Sequence, residues 1–404
     1  MQREIKKQLT KTYNMKLKTL IIAAALLIAG TTATYAKAPK AKKTSAQQLI
    51  ERMQKLQKLG FMYGHQDDPF YGITWEYEDG RSDTKDLVGD YPAVMGFELG
   101  GIEMGDEKNL DSVPFTRMRD EIIAHYKRGG IITISWHPRN PLLGTTAWIE
   151  GDIKAYNQAV EALETLRQND LAKKVVNPKN TVKSILPGGS KHDYYMTWLE
   201  KLTTFFTSLK DDKGNQIPFI FRPYHENTGS WFWWGKTLCT DAEYLALWNM
   251  TQDFTNATEV KGGTLKDYLI WSYSPTWADP SALKRYPGDD RIELLGSDTY
   301  MWGTEADFIK QLDTELSLLT QLGKEKGKLI ALTECGYQNS PDPTWWQRVF
   351  KATVEKYTFC YFLPWRNYVK EHFGASPDAS TADDFKDWAK QKNLLFVNDI
   401  KKIK

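Results

Sequence analysis

The chain has 404 residues, 41% of them hydrophobic, enough to bury a large core as one big α/β domain or two medium ones. Its formal charge is +2, but residues 1 to 36 carry a net +5 through Arg3, Lys6, Lys7, Lys11, Lys16 and Lys18 against Glu4, so the remainder stands at −3. A balance this close to neutral argues against a nucleic-acid partner or an anionic membrane surface.

At the N-terminus, Lys16 and Lys18 precede the apolar run Leu20 to Ala29. That run is about ten residues, too short to span a bilayer. Thr34 and Ala36 fit the −3 and −1 positions of a small-residue cleavage site, and Met15 makes a more usual start for such a peptide than Met1. A cleavable secretory signal over 1–36 is expected, with an uncleaved anchor as the alternative. A leader over 37–44 and one catalytic domain over 45–404 would follow, leaving a secreted or periplasmic protein with no membrane attachment. No Cys lies near the cleavage region, which excludes lipid attachment there. The three cysteines, Cys239, Cys335 and Cys360, allow at most one disulfide, lack the spacing of a zinc site and read as buried free thiols.

Beyond the leader, Ser45 and Gln48 suggest a capping box for a helix with the apolar face Leu49, Met53 and Leu56. The chain then alternates. Short apolar runs that suit buried parallel strands occur at 61 to 64, 93 to 98, 131 to 136, 218 to 223, 268 to 273, 292 to 297, 329 to 334 and 357 to 363. Helical periods lie between most of them, including 115 to 127, 153 to 167, 194 to 209, 243 to 254 and 306 to 322, with cap signals at Thr240 with Glu243 and Thr304 with Asp307. Eight strands alternating with helices predict a single-domain (β/α)₈ TIM barrel, whose functional groups gather at the C-terminal ends of the strands. A doubly wound open sheet explains the alternation but does not bring distant strand ends to one mouth. The polar residues His65, Glu98, His137, Glu226, Asp298, Tyr300, Glu334 and Trp365 all fall at strand ends. The long stretch between the third and fourth strands is expected to supply a large rim loop.

Two of these groups suggest chemistry. Glu226 leaves the apolar run Phe219-Ile-Phe-Arg222 directly ahead of Trp231, Phe232, Trp233 and Trp234, and Glu334 leaves Leu329-Ile-Ala-Leu-Thr333 in the same way. Glycosidic cleavage usually takes two carboxyl groups, one protonating the leaving oxygen and one attacking the anomeric carbon or activating water. Each Glu alone could be a structural ion pair; together, on the fourth and seventh strands, they read as a catalytic pair. Aromatic rings offer flat faces to pyranoses, so part of the Trp cluster is expected to line a sugar cleft and part to pack inward. Trp365 and Arg366 repeat the pattern after the eighth strand, as a platform beside a multiple donor, with a rim ion pair as the other reading of Arg366. His137 is a substrate contact or a satisfied core histidine. His225, one residue before Glu226, is expected on the other side of an extended backbone, as a substrate or supporting contact. There is no His-x-His, no His-Glu-x-x-His, no Gly-rich phosphate loop and no Gly-x-Ser-x-Gly elbow, so neither metal nor cofactor is expected.

The combination resembles glycoside hydrolase family 26, most of whose members are β-mannanases. The resemblance rests on Arg222-Pro-Tyr-His225-Glu226-Asn with Trp231-Phe-Trp-Trp234-Gly, on Trp136-His137-Pro138, Ser297-Asp298-Thr299-Tyr300, Thr333-Glu334-Cys-Gly336 and Pro364-Trp365-Arg366, and covers about 45 to 400. It implies that Glu226 is the general acid/base and Glu334 the nucleophile of a retaining hydrolase acting on β-1,4-linked mannan or mannooligosaccharides. It further implies that His137, His225 and Tyr300 surround the sugar, Tyr300 close to the nucleophile, with Trp365 beneath it, Arg366 on the next sugar and Trp231 on the leaving-group side; Asp298 is also expected to bind the substrate. Tyr224 and Thr228-Gly-Ser230 depart from the family's usual residues, which bears on the leaving-group side alone. A xylanase or mixed-linkage glucanase of the same family keeps both carboxylates. A non-catalytic mannan-binding protein would not require them.

Overall fold

A computed structural model of the chain describes residues 43–403. The expected signal segment, and the leader as far as residue 42, lie outside the described residues.

Eight parallel strands close into a barrel: β1 (Phe61–Gln66), β2 (Val94–Glu98), β3 (Ile131–Trp136), β4 (Phe219–Pro223), β5 (Leu269–Tyr273), β6 (Leu294–Tyr300), β7 (Leu329–Gly336) and β8 (Tyr361–Pro364). Closure is made by β1 against β8, with Met62 opposite Tyr361 and Tyr63 opposite Phe362. Each predicted strand is present, and the last begins at Tyr361 rather than 357. Tyr357 belongs instead to a turn, its hydroxyl donating to Asp313 Oδ1 at 2.5 Å. A two-residue strand, Leu394–Leu395, adds a parallel pairing outside β1.

The five predicted helices are found as Phe115–Arg128, Glu150–Thr165, His192–Ser208, Asp241–Ala257 and Glu305–Lys326. Thr240 and Glu243 form the expected reciprocal capping box, and Thr304 Oγ1 accepts from the Asp307 amide. The first helix, Ser45–Leu56, is capped one residue earlier than expected, by Thr44 with Gln47. Ser45 already has helical geometry, so its hydroxyl is not the cap. The helix buries Leu49, Met53 and Leu56 against Met62, Val94, Ile220, Ile270, Leu294 and Leu329, the apolar layer at the N-terminal end of the barrel. Each of those three side chains contributes roughly 1.5–3 kcal/mol, and the plug they form leaves the opposite end for chemistry. No described helix is long and apolar enough to cross a membrane.

Register is regular except beside β7. Ser297 pairs with Leu332 but Asp298 with Glu334, and Phe362 pairs with Leu332 but Pro364 with Cys335. Both neighbours therefore see one extra residue on β7 at Thr333 and Glu334. A bulge of this kind bends a strand and re-aims a side chain, and here it lies at one of the two candidate carboxylates.

The candidate active site

At the C-terminal end of the barrel a cleft of about 580 Å³ is lined by Glu226, Glu334, His137, His225, Tyr300 and Trp365, with Trp231 and Arg366 at its sides. Nearly every site residue expected from the sequence is thus gathered in one place. Asp298 is the exception. It lies beneath the cleft, accepting from Arg222 Nη1 at 2.9 Å, Ser274 Oγ at 3.2 Å and Thr333 Oγ1 at 2.7 Å, and does not line it. His65 does not line the cleft either; it is buried in β1, with Nδ1 2.7 Å from Asp68.

Glu334 is held from both sides. Tyr300 donates its hydroxyl to Oε2 at 2.6 Å and Arg222 donates to Oε1, while His225 Nε2 stands 3.7 Å from Oε1. Arg222 therefore bridges Glu334 and Asp298. Burial works against its charge, but the two carboxylates overcome this and raise its pKa above the usual arginine value. Burial, followed by the charge of Glu334, holds the Tyr300 hydroxyl well above its ordinary range, so it acts as a donor.

Glu226 has a different environment. Desolvation, with the charges of Asp298 and Glu334, pushes its pKa up to about 8, and a 2.7 Å hydrogen bond from Trp231 Nε1 to Oε2 opposes the rise. A carboxyl kept protonated near neutral pH is suited to donate a proton. Its backbone is also unusual. Tyr224 and Glu226 both have left-handed φ, +48° and +51°, which costs about 1 kcal/mol or more for each L-residue. The turn is fixed by Glu226 N donating to Ser274 O at 2.8 Å, Tyr244 Oη to Tyr224 O at 3.0 Å and Trp234 Nε1 to His225 O at 2.8 Å. The expectation that His225 faces away from Glu226 fails for this reason: the chain is not extended there, and both side chains enter the cleft.

Behind Glu226, the fully buried Arg285 donates to the carbonyls of Asn227, Trp234 and Cys239, pinning the loop that carries the aromatic cluster. Of that cluster only Trp231 is exposed, at 43%; Phe232 is buried but reaches the cleft wall, and Trp233 and Trp234 pack inward. All three cysteines are buried and free.

The two histidines are tuned in opposite directions. Glu98 accepts from the amides of Gly100 and His137 at 2.7 Å, from Ser135 Oγ at 2.5 Å and from His137 Nδ1 at 2.8 Å. Burial lowers the His137 pKa, but Glu98 outweighs it and leaves the imidazole above its ordinary value. His225, edge-on to His137 at 4.4 Å, is pushed well below by burial, then by Arg222 and His137, and so is neutral. Arg366 Nε pairs with Asp111 at 3.2 Å and its Nη2 with Glu371 at 3.5 Å, so it is both a rim ion pair and a cleft wall.

Sequence reasoning missed Leu110, Asp111, Trp148, Trp302, Glu371 and Phe373, which complete the walls. They come from loops, where no period marks them. Trp148 stacks on His137 at 5.4 Å and 7°, and Trp302, 68% exposed, stacks on Tyr300 at 5.4 Å. Among the described residues no cluster of His, Cys, Asp or Glu has the arrangement of a metal site.

Comparison with known proteins agrees with this geometry. The sequence profile described as Glycosyl hydrolase family 26 matches residues 38–374. The chain is 26% identical over 385 residues to a mannan endo-1,4-β-mannosidase of Bifidobacterium adolescentis, covering 87% of this chain and 34% of that protein. It is 27% identical over 290 residues to the Bacillus subtilis enzyme of the same name, covering 70% of this chain and 68% of the relative. The chain thus spans about a third of the Bifidobacterium enzyme and about two thirds of the Bacillus one. Among solved structures, a GH26 β-mannanase from Bacteroides ovatus superposes with a TM-score of 0.78 at 38% identity, covering 89% of this chain and 96% of that one. A modular endo-β-1,4-mannanase from Cellulomonas fimi gives 0.71 at 27% identity, with 88% and 77% covered.

Proposed function

The chain belongs to glycosyl hydrolase family 26, and we propose that it hydrolyses β-1,4-mannosidic linkages in mannans or mannooligosaccharides with retention of configuration. The observation that carries this reading is the unequal treatment of two carboxyl groups in one cleft. Glu226 is raised to about 8 at the aromatic wall, whereas Glu334 accepts hydrogen bonds on both oxygens from Arg222 and Tyr300.

In the proposed first step a Glu334 oxygen attacks the anomeric carbon while Glu226 gives its proton to the leaving oxygen, forming a glycosyl ester and releasing the leaving-group sugar. In the second, Glu226 takes a proton from water, which attacks the same carbon and frees Glu334. Trp365 lies beneath the cleaved sugar, Arg366 holds the next sugar on the non-reducing side, and Trp231 faces the leaving group while bonding to the acid. Asp298 acts through Arg222 rather than on the sugar. A β-mannoside differs from a β-glucoside by its axial C2 hydroxyl, and His137 and His225 are placed beside the nucleophile to read it. Sites that hydrogen-bond a particular hydroxyl can reject an analogue by about 10⁴ or more, whereas stacking discriminates weakly.

Reducing-sugar release from linear mannan, xylan and barley glucan tests the reading. Mannan should be cut fastest, and NMR should show the β-anomer as first product. Faster cleavage of xylan or glucan would overturn the specificity, and an α-anomer would overturn the mechanism.

Export is part of the proposal. The basic residues Lys16 and Lys18, the apolar run from Leu20 and the Thr34/Ala36 pair support a cleaved signal. N-terminal sequencing of protein from the periplasm or medium should begin at Lys37, and a chain retaining Met15 there would refute cleavage.

A further inference from the structure

The loop that follows β8 brings Arg366, Glu371 and Phe373 to the cleft wall, yet the residue that closes this loop does not line the cleft. That residue is Asn367, which is 1% exposed. We propose that Asn367, backed by Asp83, is a positioning residue for the reaction: it fixes the loop so that Arg366 meets the sugar on the non-reducing side of the cleaved bond. The inference rests on the mannan-hydrolysing function proposed above.

Both ends of the Asn367 side chain are in use. Oδ1 accepts from the backbone amides of Phe373 at 3.1 Å and Gly374 at 2.8 Å, and Nδ2 donates to Ala375 O at 3.3 Å. A side-chain amide offers two donors and two acceptor lone pairs, and the second donor goes to Asp83 Oδ2 at 2.9 Å. The side chain thus ties the end of the loop to its beginning, directly after Arg366.

Asp83 is itself fully buried, at the start of the short helix Asp83–Val88 between β1 and β2. Besides Asn367 it accepts from Trp75 Nε1 at 2.7 Å and Ile73 N at 3.3 Å, and all three donors are neutral. A buried carboxyl with neutral partners is costly, and burial raises its pKa against the bonds from Trp75 and Asn367. What the arrangement achieves is a link between the β8 loop and the β1 loop, across the seam where the barrel closes.

The outer side of the loop has its own clasp. Asn339, after β7, donates through Nδ2 to Lys370 O at 3.0 Å and accepts at Oδ1 from His372 N at 2.9 Å. Between the two asparagines, Tyr368 and Glu371 exchange backbone bonds at 2.8 and 3.2 Å in a tight turn. Phe373 is wedged separately against Tyr300 at 5.5 Å and Trp302 at 6.0 Å. The long side chain of Arg366 is set by Asp111 and Glu371, and the place of Glu371 depends on the loop. Arg366 is therefore the cleft residue that relies most on the asparagines.

The test uses two substrates with the same activated aryl leaving group, a β-mannoside and a β-1,4-mannobioside, of which the second alone places a sugar against Arg366. Asn367→Ala should lose about tenfold or more in kcat/KM on the mannobioside and keep its rate on the mannoside, which also reports an intact fold. Combined with Arg366→Ala, it should add little to that variant's own loss on the mannobioside, since residues acting as a unit are not additive. Asn339→Gly removes the outer clasp at an exposed position whose φ of +49° suits glycine, and should show the same selectivity in smaller measure. Equal losses on both substrates, no loss on either, or full additivity with Arg366→Ala would overturn the positioning role while leaving the mannanase reading standing. Should Asn367→Ala fail to fold, Asn339→Gly decides by the same criteria. A wild type inactive on linear mannan would overturn both readings.

Discussion

Trp231 donates its indole hydrogen to Glu226 across only five residues of chain, at 2.7 Å. The ring proposed to face the leaving group thus also steadies the charged form of the proposed acid, against desolvation and the charges of Asp298 and Glu334, which raise it to about 8. Hydrolysis of mannan should fall as pH rises through about 8, because the acid must begin protonated. Removing the Trp231 bond in Trp231→Phe should move that limb of the kcat/KM profile to higher pH, and a limb that stays put or moves down would contradict the coupling. Linkage gives stability the same sense. A carboxyl whose folded value lies above its unfolded one favours the fold most below the unfolded pKa and loses that advantage as pH climbs to the folded value. Glu226→Gln should therefore gain in melting temperature relative to wild type between about pH 5 and pH 8.

Glu226→Ala and Glu334→Ala should separate the two roles. An activated aryl mannoside needs little protonation of its leaving group, so Glu226→Ala should lose much more activity on mannan than on formation of the glycosyl ester from the aryl substrate. Glu334→Ala should abolish both, since no ester can form. Equal losses on both substrates for Glu226→Ala would refute its assignment as the acid.

Tyr300→Phe removes one hydrogen bond to Glu334 and leaves the ring stacked on Trp302. A bond to a charged group is worth about 1.5–3 kcal/mol, so turnover should fall by roughly 10- to 150-fold on mannan and aryl mannoside alike. Steady-state kinetics on both substrates checks this, and a loss confined to mannan would place the hydroxyl with the acid instead.

Asp298→Asn keeps the shape of the side chain and takes the charge from beneath Arg222. Breaking a buried ion pair costs on the order of 3 kcal/mol, so the melting temperature should drop. The kcat should fall with KM little changed, because Glu334 is left as the one ion-pair partner of Arg222 among the described residues. A raised KM with unchanged stability would show that Asp298 touches the sugar after all.

The barrel was legible because its strands are short apolar runs set between longer helical periods, a contrast that survives in one sequence. It blurred where loop residues pack like strand residues, as at Tyr357 and Phe359, the latter fully buried outside any strand. At the cap of the first helix, Thr44 and Ser45 are chemically alike, and geometry alone chose Thr44. The two candidate carboxylates were legible because Glu at the end of an apolar strand is costly without a purpose. The facing of His225 was not, since strand alternation assumes an extended chain and Tyr224 and Glu226 are left-handed. Asp298 lies at a strand end like the others, but the shifted register beside β7 sets it opposite Glu334 and under Arg222. Trp148 and Trp302 were invisible because a loop residue's place on a wall depends on the fold of the whole loop.

The left-handed turn at Tyr224 and Glu226 has an evolutionary consequence. Glycine at position 226 would relax the backbone and remove a carboxyl that burial disfavours, and Trp231, partly exposed, would turn its indole hydrogen to water. Such a protein could not donate the proton, yet it should outlast its parent on heating. A lineage released from the need to cut polysaccharide would therefore drift away from this glutamate first, with selection for a sturdier fold pulling in the same direction. Descendants would keep the aromatic cleft after the proposed proton donor had gone.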